Sequence, residues 1–144
     1  MPLTGEYAEE KTEWVRDQLA KIDEAGTTEV VGVQGMAVVV YTVWSAKTGK
    51  LRRVPLMRVE HDGVYAAVAS YGGAPKHPAW YYNFVANPQV EVMDGTSHHD
   101  GVARRIEGDE RAQWWERAVA AYPPYAEYQT KTDREIPVFV VEPA

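Results

Sequence analysis

Cysteine is absent from the 144 residues, so no disulfide, thiolate nucleophile or Cys-type zinc site can form. That suits a reducing cytoplasm, the expected location. Long apolar runs are absent too. The longest, Met36 to Trp44, is far short of the roughly 20 residues a membrane-spanning helix needs. No basic stretch followed by an apolar one opens the chain, so secretion is not expected. The net charge of −6 speaks against a general nucleic-acid binder.

Acid is also missing locally. Between Trp44 and Val59 there is none, but there are Lys47, Lys50, Arg52, Arg53 and Arg58. A basic strip on an acidic chain suits a small anionic ligand; a solvated strand edge gives the same pattern. The four histidines show no metal-ligand spacing. His98 and His99 are neighbours on an expected strand and point to opposite faces, so no metal site is expected. No phosphate-binding loop or dinucleotide fingerprint occurs.

What is present is a core. Apolar residues make up 45% of the chain and charged ones 25%, which suits one folded domain over 1–144. A helix is expected over 6–25, with Tyr7, Trp14, Val15, Gln18, Leu19 and Ile22 on one side and Gly26 as its stop. Residues 36–44 read as a strand buried on both faces. Further strands are expected over 51–60, 64–70, 89–93, after an Asp94-Gly95 turn to about Ile106, and over 136–141. Asp62-Gly63 suits a tight hairpin turn. Short helices are expected over 78–86, over 110–121 capped by Asp109, and after Pro123-Pro124. Six strands joined mostly by hairpins predict a mainly β (α+β) fold, a six-stranded barrel with peripheral helices.

Three stretches invite chemistry. Ser70 to Pro88 reads SYGGAPKHPAWYYNFVANP, a glycine pair leading into a helix rich in flat side chains. Such a segment either cradles a ligand or packs its aromatics in the core. Tyr122, Tyr125 and Tyr128 recur at i, i+3 and i+6, a wall of phenols on one helical flank. Water-facing packing explains that spacing equally well. The third stretch is the basic strip. Grips for anions, flat faces and phenols without a nucleophile or metal suit a protein whose cofactor does the hard chemistry.

The ordered motifs Lys47-Thr48-Gly49, Arg52, Pro55-Leu56, Ser70-x-Gly72-Gly73-Ala74-Pro75, Pro78-x-Trp80-Tyr81-x-Asn83, Asn87-Pro88, Tyr122-Pro123-x-Tyr125-x-x-Tyr128-Gln129 and Thr132-Asp133-Arg134-x-Ile136-Pro137 resemble the deazaflavin-dependent nitroreductase family of actinobacteria. The likeness runs from about residue 37 to the C-terminus. Ser45-Ala46 departs from the usual Gly-Arg, and Tyr71 stands where a lysine is common.

The resemblance implies a split β-barrel of the FMN-binding type. It implies reduced coenzyme F420, an 8-hydroxy-5-deazaflavin with a phosphate and a polyglutamate tail; FMN is the alternative cofactor. It implies reduction of a quinone, an unsaturated lactone or enone, or a nitro compound. Lys47, Thr48, Lys50, Arg52 and Arg53 would hold the coenzyme's tail. Val54, Pro55, Leu56 and Met57 would line its ring. Val68, Ala69, Ser70 and Tyr71, with Ala79, Trp80, Tyr81, Tyr82 and Asn83, would close the remaining side. Tyr122, Tyr125, Tyr128 and Met57 would form the acceptor pocket, with Tyr125 and Ser70 catalytic and Tyr125 touching the coenzyme as well. Residues 1–27 are expected to act as a lid. A lipid quinone as acceptor would bring contact with the inner face of the membrane. A carrier that binds the deazaflavin or a quinone without catalysis is the non-enzymatic reading.

Overall fold

The computed structural model describes residues 3, 5–10, 12–33 and 35–144. Its centre is a strand, β2 (Met36–Trp44), whose interior is buried throughout. It is flanked by β1 (Gly32–Val33), β3 (Leu51–Met57) and, after a long excursion, β6 (Gln89–Asp94). The antiparallel path continues from β6 through β7 (Ser97–Ile106), β8 (Val138–Pro143) and β5 (Val64–Val68) to β4 (Glu60–His61).

Residues 38–43 are buried on both faces, as the mostly apolar character of the 36–44 run predicts. Alternation gives each face its own partner. Val39, Tyr41 and Val43 point inward with Val90, Val92, Phe139 and Val141. Val38 and Val40 point outward, Val38 to a cluster that includes Trp114 and Ala118 and Val40 to Leu19 and Ile22. The inner core is plugged by α2 (Ala79–Ala86), which drives in Trp80 and Phe84. Phe84 is 1% exposed and meets Tyr41, Trp80 and Phe139 edge-on. Burying it contributes about 1.5–3 kcal/mol before ring geometry is counted.

The sheet is mainly β with helices around it, as expected, but it is not a six-stranded barrel. Eight strands form one unclosed antiparallel sheet, and two of them, β1 and β4, are two residues long. Among the described residues no ladder joins β3 to β5. Pro55 lacks an N–H and suits an edge strand, so β3 keeps one side free of the ladder. The run expected over 51–60 breaks accordingly after Met57 and resumes as β4. Asp62 and Gly63 then turn the chain at φ 52° and 81°, the paired positive values that make Asp-Gly the favoured hairpin dipeptide.

The N-terminal expectation needs correction. The helix is α1 (Glu13–Ala25), not 6–25. Before it the chain is extended beside β3: Ala8 N–H donates to the Leu51 carbonyl and Leu51 N–H to the Glu6 carbonyl, both at 2.8 Å. Tyr7 therefore belongs to a pairing across the fold, which no local period reveals. Of the expected lid segment 1–27, residues 1, 2, 4 and 11 lie outside those described.

Two helices follow β7: α3 (Gly108–Ala121) and α4 (Pro124–Thr130). Asp109 is not the N-cap of α3. Glu107 holds that position without a side-chain cap bond, and Asp109 lies in the first turn, where its charge favours the helix dipole. Trp114 and Ala118 are buried against Ile106, Val138 and Val140. The last strand starts at Val138 rather than Ile136, because the Ile136 amide donates to the Gln129 side chain instead of to a strand. Among the described residues no helix is long and apolar enough to cross a membrane.

Candidate functional site

A groove of about 1230 Å³ opens beside β3, between the N-terminal part of α1, the start of α2 and the tyrosines at the α3–α4 corner. Its floor is apolar. Val54, Pro55, Leu56 and Met57 are lining residues, with Val38 and Val68 beside them. Sequence reasoning named all of these except Val38.

One end of the groove is basic. The β2–β3 turn supplies Ser45, Ala46, Lys47 and Thr48, and β3 supplies Arg52. The turn is shaped by its own serine: Ser45 Oγ accepts from the Lys47 and Thr48 amides, each at 3.3 Å. The buried Asn83 of α2 fixes it from below, its Oδ1 accepting from the Ala46 amide at 2.9 Å. Asn83 thus holds the turn as well as lining the groove. Neither Lys47 nor Arg52 has an ion-pair partner among the described residues. Their charges are available to an anion. Arg53 also lines the groove, but its guanidinium is bonded to Asp23 of α1 at 2.6 and 2.9 Å. Lys50 is not in the lining; its ammonium lies 3.5 Å from Glu6.

The side wall is the 70–79 loop. Ser70, Tyr71, Lys76, His77, Pro78, Ala79, Trp80 and Tyr82 line it. Ala69 does not: strand alternation turns it into the inner core, away from Val68. Tyr81 does not either. It packs between Phe139 and the His77 ring, and its hydroxyl accepts from Arg105 at 2.9 Å. Arg134, seen in the sequence only as part of a motif, organises this wall. Its guanidinium donates to the carbonyls of Ala69 (3.1 Å), Ser70 (2.8 Å) and Ala74 (2.9 Å). Gly73, at φ 83°, lies so close to α4 that an added Cβ would sit 2.9 Å from the Tyr128 carbonyl.

The opposite end is phenolic. Tyr122, Tyr125 and Tyr128 all line the groove. Tyr122 and Tyr125 rings meet edge-on at 4.9 Å, and the Tyr122 and Tyr128 hydroxyls are 3.1 Å apart. The Tyr125 hydroxyl makes no hydrogen bond within the described protein, and neither does the Ser70 hydroxyl. Burial, then the neighbouring phenols, raises the Tyr125 pKa, so its O–H stays protonated at any working pH. Tyr122 is raised by burial first and by its bond to Tyr128 second.

Residues of α1 complete the site. Trp14, Val15 and Gln18 line the groove, preceded by Glu10 and by Thr12 at the helix N-cap. The helical period of Val15 and Gln18 predicted a packed face, not which cavity it roofs. Lys76 and His77 were likewise quoted in the cradle segment without a role. Among the described residues no three metal-ligating side chains converge. His98 bonds to Glu91 at 2.9 Å while His99 packs against Tyr65.

The chain matches known proteins along most of its length. Residues 14–143 match the family F420H(2)-dependent quinone reductase. A Mycobacterium tuberculosis protein carrying the name of an F420H(2)-dependent quinone reductase is 34% identical over 99 residues, 69% of this chain and 83% of that one. A solved structure described as an F420-H2 dependent reductase is 63% identical with a TM-score of 0.70, covering 73% of this chain and 93% of the other. Another, described as a domain-swapped dimer, is 59% identical with a TM-score of 0.74, covering 92% of this chain and 100% of the other.

Proposed function

The chain belongs to the F420H(2)-dependent quinone reductase family, oxidoreductases that use coenzyme F420, and on that premise we propose how its groove works. Val54, Pro55, Leu56 and Met57 would floor the reduced deazaflavin, and Lys47, Thr48 and Arg52 would hold its acidic tail. The acceptor lies at the tyrosine end. One observation carries this reading: a single groove has two unpaired cationic side chains at one end and the unbonded Tyr125 and Ser70 hydroxyls along it, with apolar strand between.

The residues present fit such a group. Floor and walls are apolar where a flat ring would lie, and the groove's cations are concentrated near the β2–β3 turn and the 76–77 loop. The coenzyme supplies a hydride when bound. The chain supplies position: holding a flat acceptor at about 3–3.5 Å from the reacting carbon is where most of the rate is expected to arise. Tyr125 and Ser70 each present a neutral O–H to the acceptor oxygen, which gains negative charge as it is reduced. Tyr122 and Tyr128, bonded to each other, make the wall against which the acceptor packs. The pocket is expected to take unsaturated lactones, enones and nitro-aromatics as well as quinones, because it recognises flatness and one polar edge.

The chain works as one unit in which Glu10, Thr12, Trp14, Val15 and Gln18 of the N-terminal segment cover one side of the groove. Trp14, Tyr71 and Tyr82 line the groove and stay 58%, 53% and 54% exposed, so a cytoplasmic enzyme could rest its rim on a membrane to meet a lipid quinone. Co-sedimentation with vesicles tests that contact.

The main test is stopped-flow mixing of purified protein with reduced F420 and a panel of quinone, enone and nitro acceptors. Reoxidation of the coenzyme at a rate set by protein concentration is expected. A protein purified with stoichiometric FMN, or one that binds F420 but never accelerates its reoxidation, overturns the reading.

A further inference from the structure

His77 stands at the edge of the groove in a setting that its sequence neighbours do not explain. Arg134 Nη1 lies 3.3 Å from His77 Nδ1. A guanidinium can only donate, so Nδ1 must accept, and the ring proton of neutral His77 is on Nε2. Arg134 is not free to adapt, because its Nε and Nη2 N–H groups are bonded to the Ala69, Ser70 and Ala74 carbonyls. The ring plane is fixed as well. It stacks on Tyr81 at 4.0 Å and 17°, with Tyr82 edge-on at 6.1 Å. Tyr81 is in turn held by Arg105.

The charges around the ring share one sign. Arg134 approaches from the α4–β8 connection and Arg105 from β7, and Lys76, the preceding residue of the same loop, lines the same groove. None of the three has a carboxylate partner among the described residues. Tyr81 and Tyr82, from α2, are neutral. Burial, then Arg134, then Arg105, hold the imidazole below its ordinary pKa. The arrangement is a cationic pocket wall containing one group that can change its charge.

We propose that His77 is a proton-linked anion grip, neutral in the free protein and protonated when the acidic tail of the coenzyme settles beside Lys76 and the β2–β3 turn. The inference rests on the reading of the groove as the F420 site. An arriving phosphate or carboxylate offsets the arginines and makes a second positive charge favourable. Protonation then converts Nδ1 from acceptor to donor, which breaks its bond from Arg134 and leaves the ring N–H groups to donate to the anion. Binding therefore takes up a proton between the free and the bound pKa of His77. Affinity for the tail rises as pH falls through that window. No other histidine lines the groove.

Two measurements decide it. Nitrogen-15 spectra of the free protein at about pH 7.5, with His77→Gln for assignment, should show His77 as the Nε2–H tautomer. An Nδ1–H tautomer overturns the inference. Calorimetric titration with oxidised F420 at about pH 6.5, in buffers of different ionisation enthalpy, should show uptake of roughly half a proton per coenzyme. The deazaflavin riboside that lacks phosphate and glutamates should bind with no uptake. His77→Gln should bind F420 without uptake and lose the pH dependence, while Lys50→Ala, outside the groove lining, keeps both the uptake and the pH dependence. Equal uptake in wild type and His77→Gln, or none in wild type, overturns the inference while leaving the groove assignment intact. Failure of wild type to bind F420 at any pH overturns the groove assignment, and the inference with it.

Discussion

Arg53 of β3 donates two hydrogen bonds to Asp23 of α1, at 2.6 and 2.9 Å, and so straps the helix across the open side of the sheet. This bond gives Arg53 a second job besides lining the groove. The partners are 29% and 57% exposed, so the pair contributes at most about 1 kcal/mol. Asp23→Ala is expected to leave the global Tm nearly unchanged but to speed amide exchange in α1. The Arg53 guanidinium lowers the Asp23 pKa by hydrogen bonding. Its contribution is therefore complete above the ordinary carboxylate pKa and is lost as pH falls through the lowered one. Exchange in α1 that does not accelerate in Asp23→Ala, or in acid, would show the strap to be idle.

Lys47 and Arg52 are the cleaner test of the basic end, since neither is engaged by an acidic side chain of the described protein. Lys47→Ala and Arg52→Ala should each raise the Kd for F420 roughly tenfold, about 1.4 kcal/mol for one charge-assisted contact. The difference from wild type should shrink at high salt. Lys50→Ala, whose side chain faces Glu6 instead, should bind as wild type. Fluorescence titration of the three variants at two salt concentrations checks this. A Lys50 effect as large as that of Lys47 would mean the tail runs elsewhere.

Gly73 is where the coenzyme wall and the tyrosine helix touch. Its φ of 83° and the 2.9 Å approach of a would-be Cβ to the Tyr128 carbonyl give an alanine two faults, a strained backbone and a collision with main chain. Gly73→Ala should cost about 1–3 kcal/mol of stability and weaken both coenzyme and acceptor binding, because the loop and α4 move apart together. Thermal denaturation and two titrations measure this. Intact stability with full binding would show that the wall and the helix are not mechanically joined.

What was legible in the sequence follows from range. The buried strand at 36–44, the Asp62-Gly63 turn and the Gly26 helix stop depend on residues a few positions apart, and the fold shows all three. The phenol triad is also local, and its i, i+3, i+6 spacing does bring Tyr122, Tyr125 and Tyr128 to one cavity. Ala69 and Tyr81 face away from the groove that their chain neighbours line. Alternation on a strand and rotation around a helix send every contiguous run to more than one side. The extended segment at 6–8 pairs with Leu51, and Arg134 meets His77 from 57 positions away. No period or motif length encodes such meetings; they exist only once the sheet has curled.

Tyr125 decides the acceptor site. It is 4% exposed, wedged edge-on to Tyr122 and within 6.4 Å of Trp115, so its ring is part of the core as well as of the groove wall. Its hydroxyl is the part without a partner in the described protein. Tyr125→Phe keeps the ring and removes only that O–H, so stability should hold to within about 0.5–1.5 kcal/mol. If the hydroxyl stabilises charge growing on the acceptor oxygen, kcat should fall roughly ten- to a hundredfold, while the Kd for F420 stays unchanged. Tyr122→Phe should act differently. It removes the 3.1 Å bond to Tyr128 without touching the free hydroxyl, so it should raise KM for the acceptor more than it lowers kcat. Steady-state kinetics with one quinone and one enone separate the two effects. Because the Tyr125 pKa is raised, the wild-type rate should show no loss up to about pH 9 from this group. A Tyr125→Phe enzyme with wild-type kcat on both acceptors would reduce the phenol to packing and move the catalytic donor to Ser70 or to water.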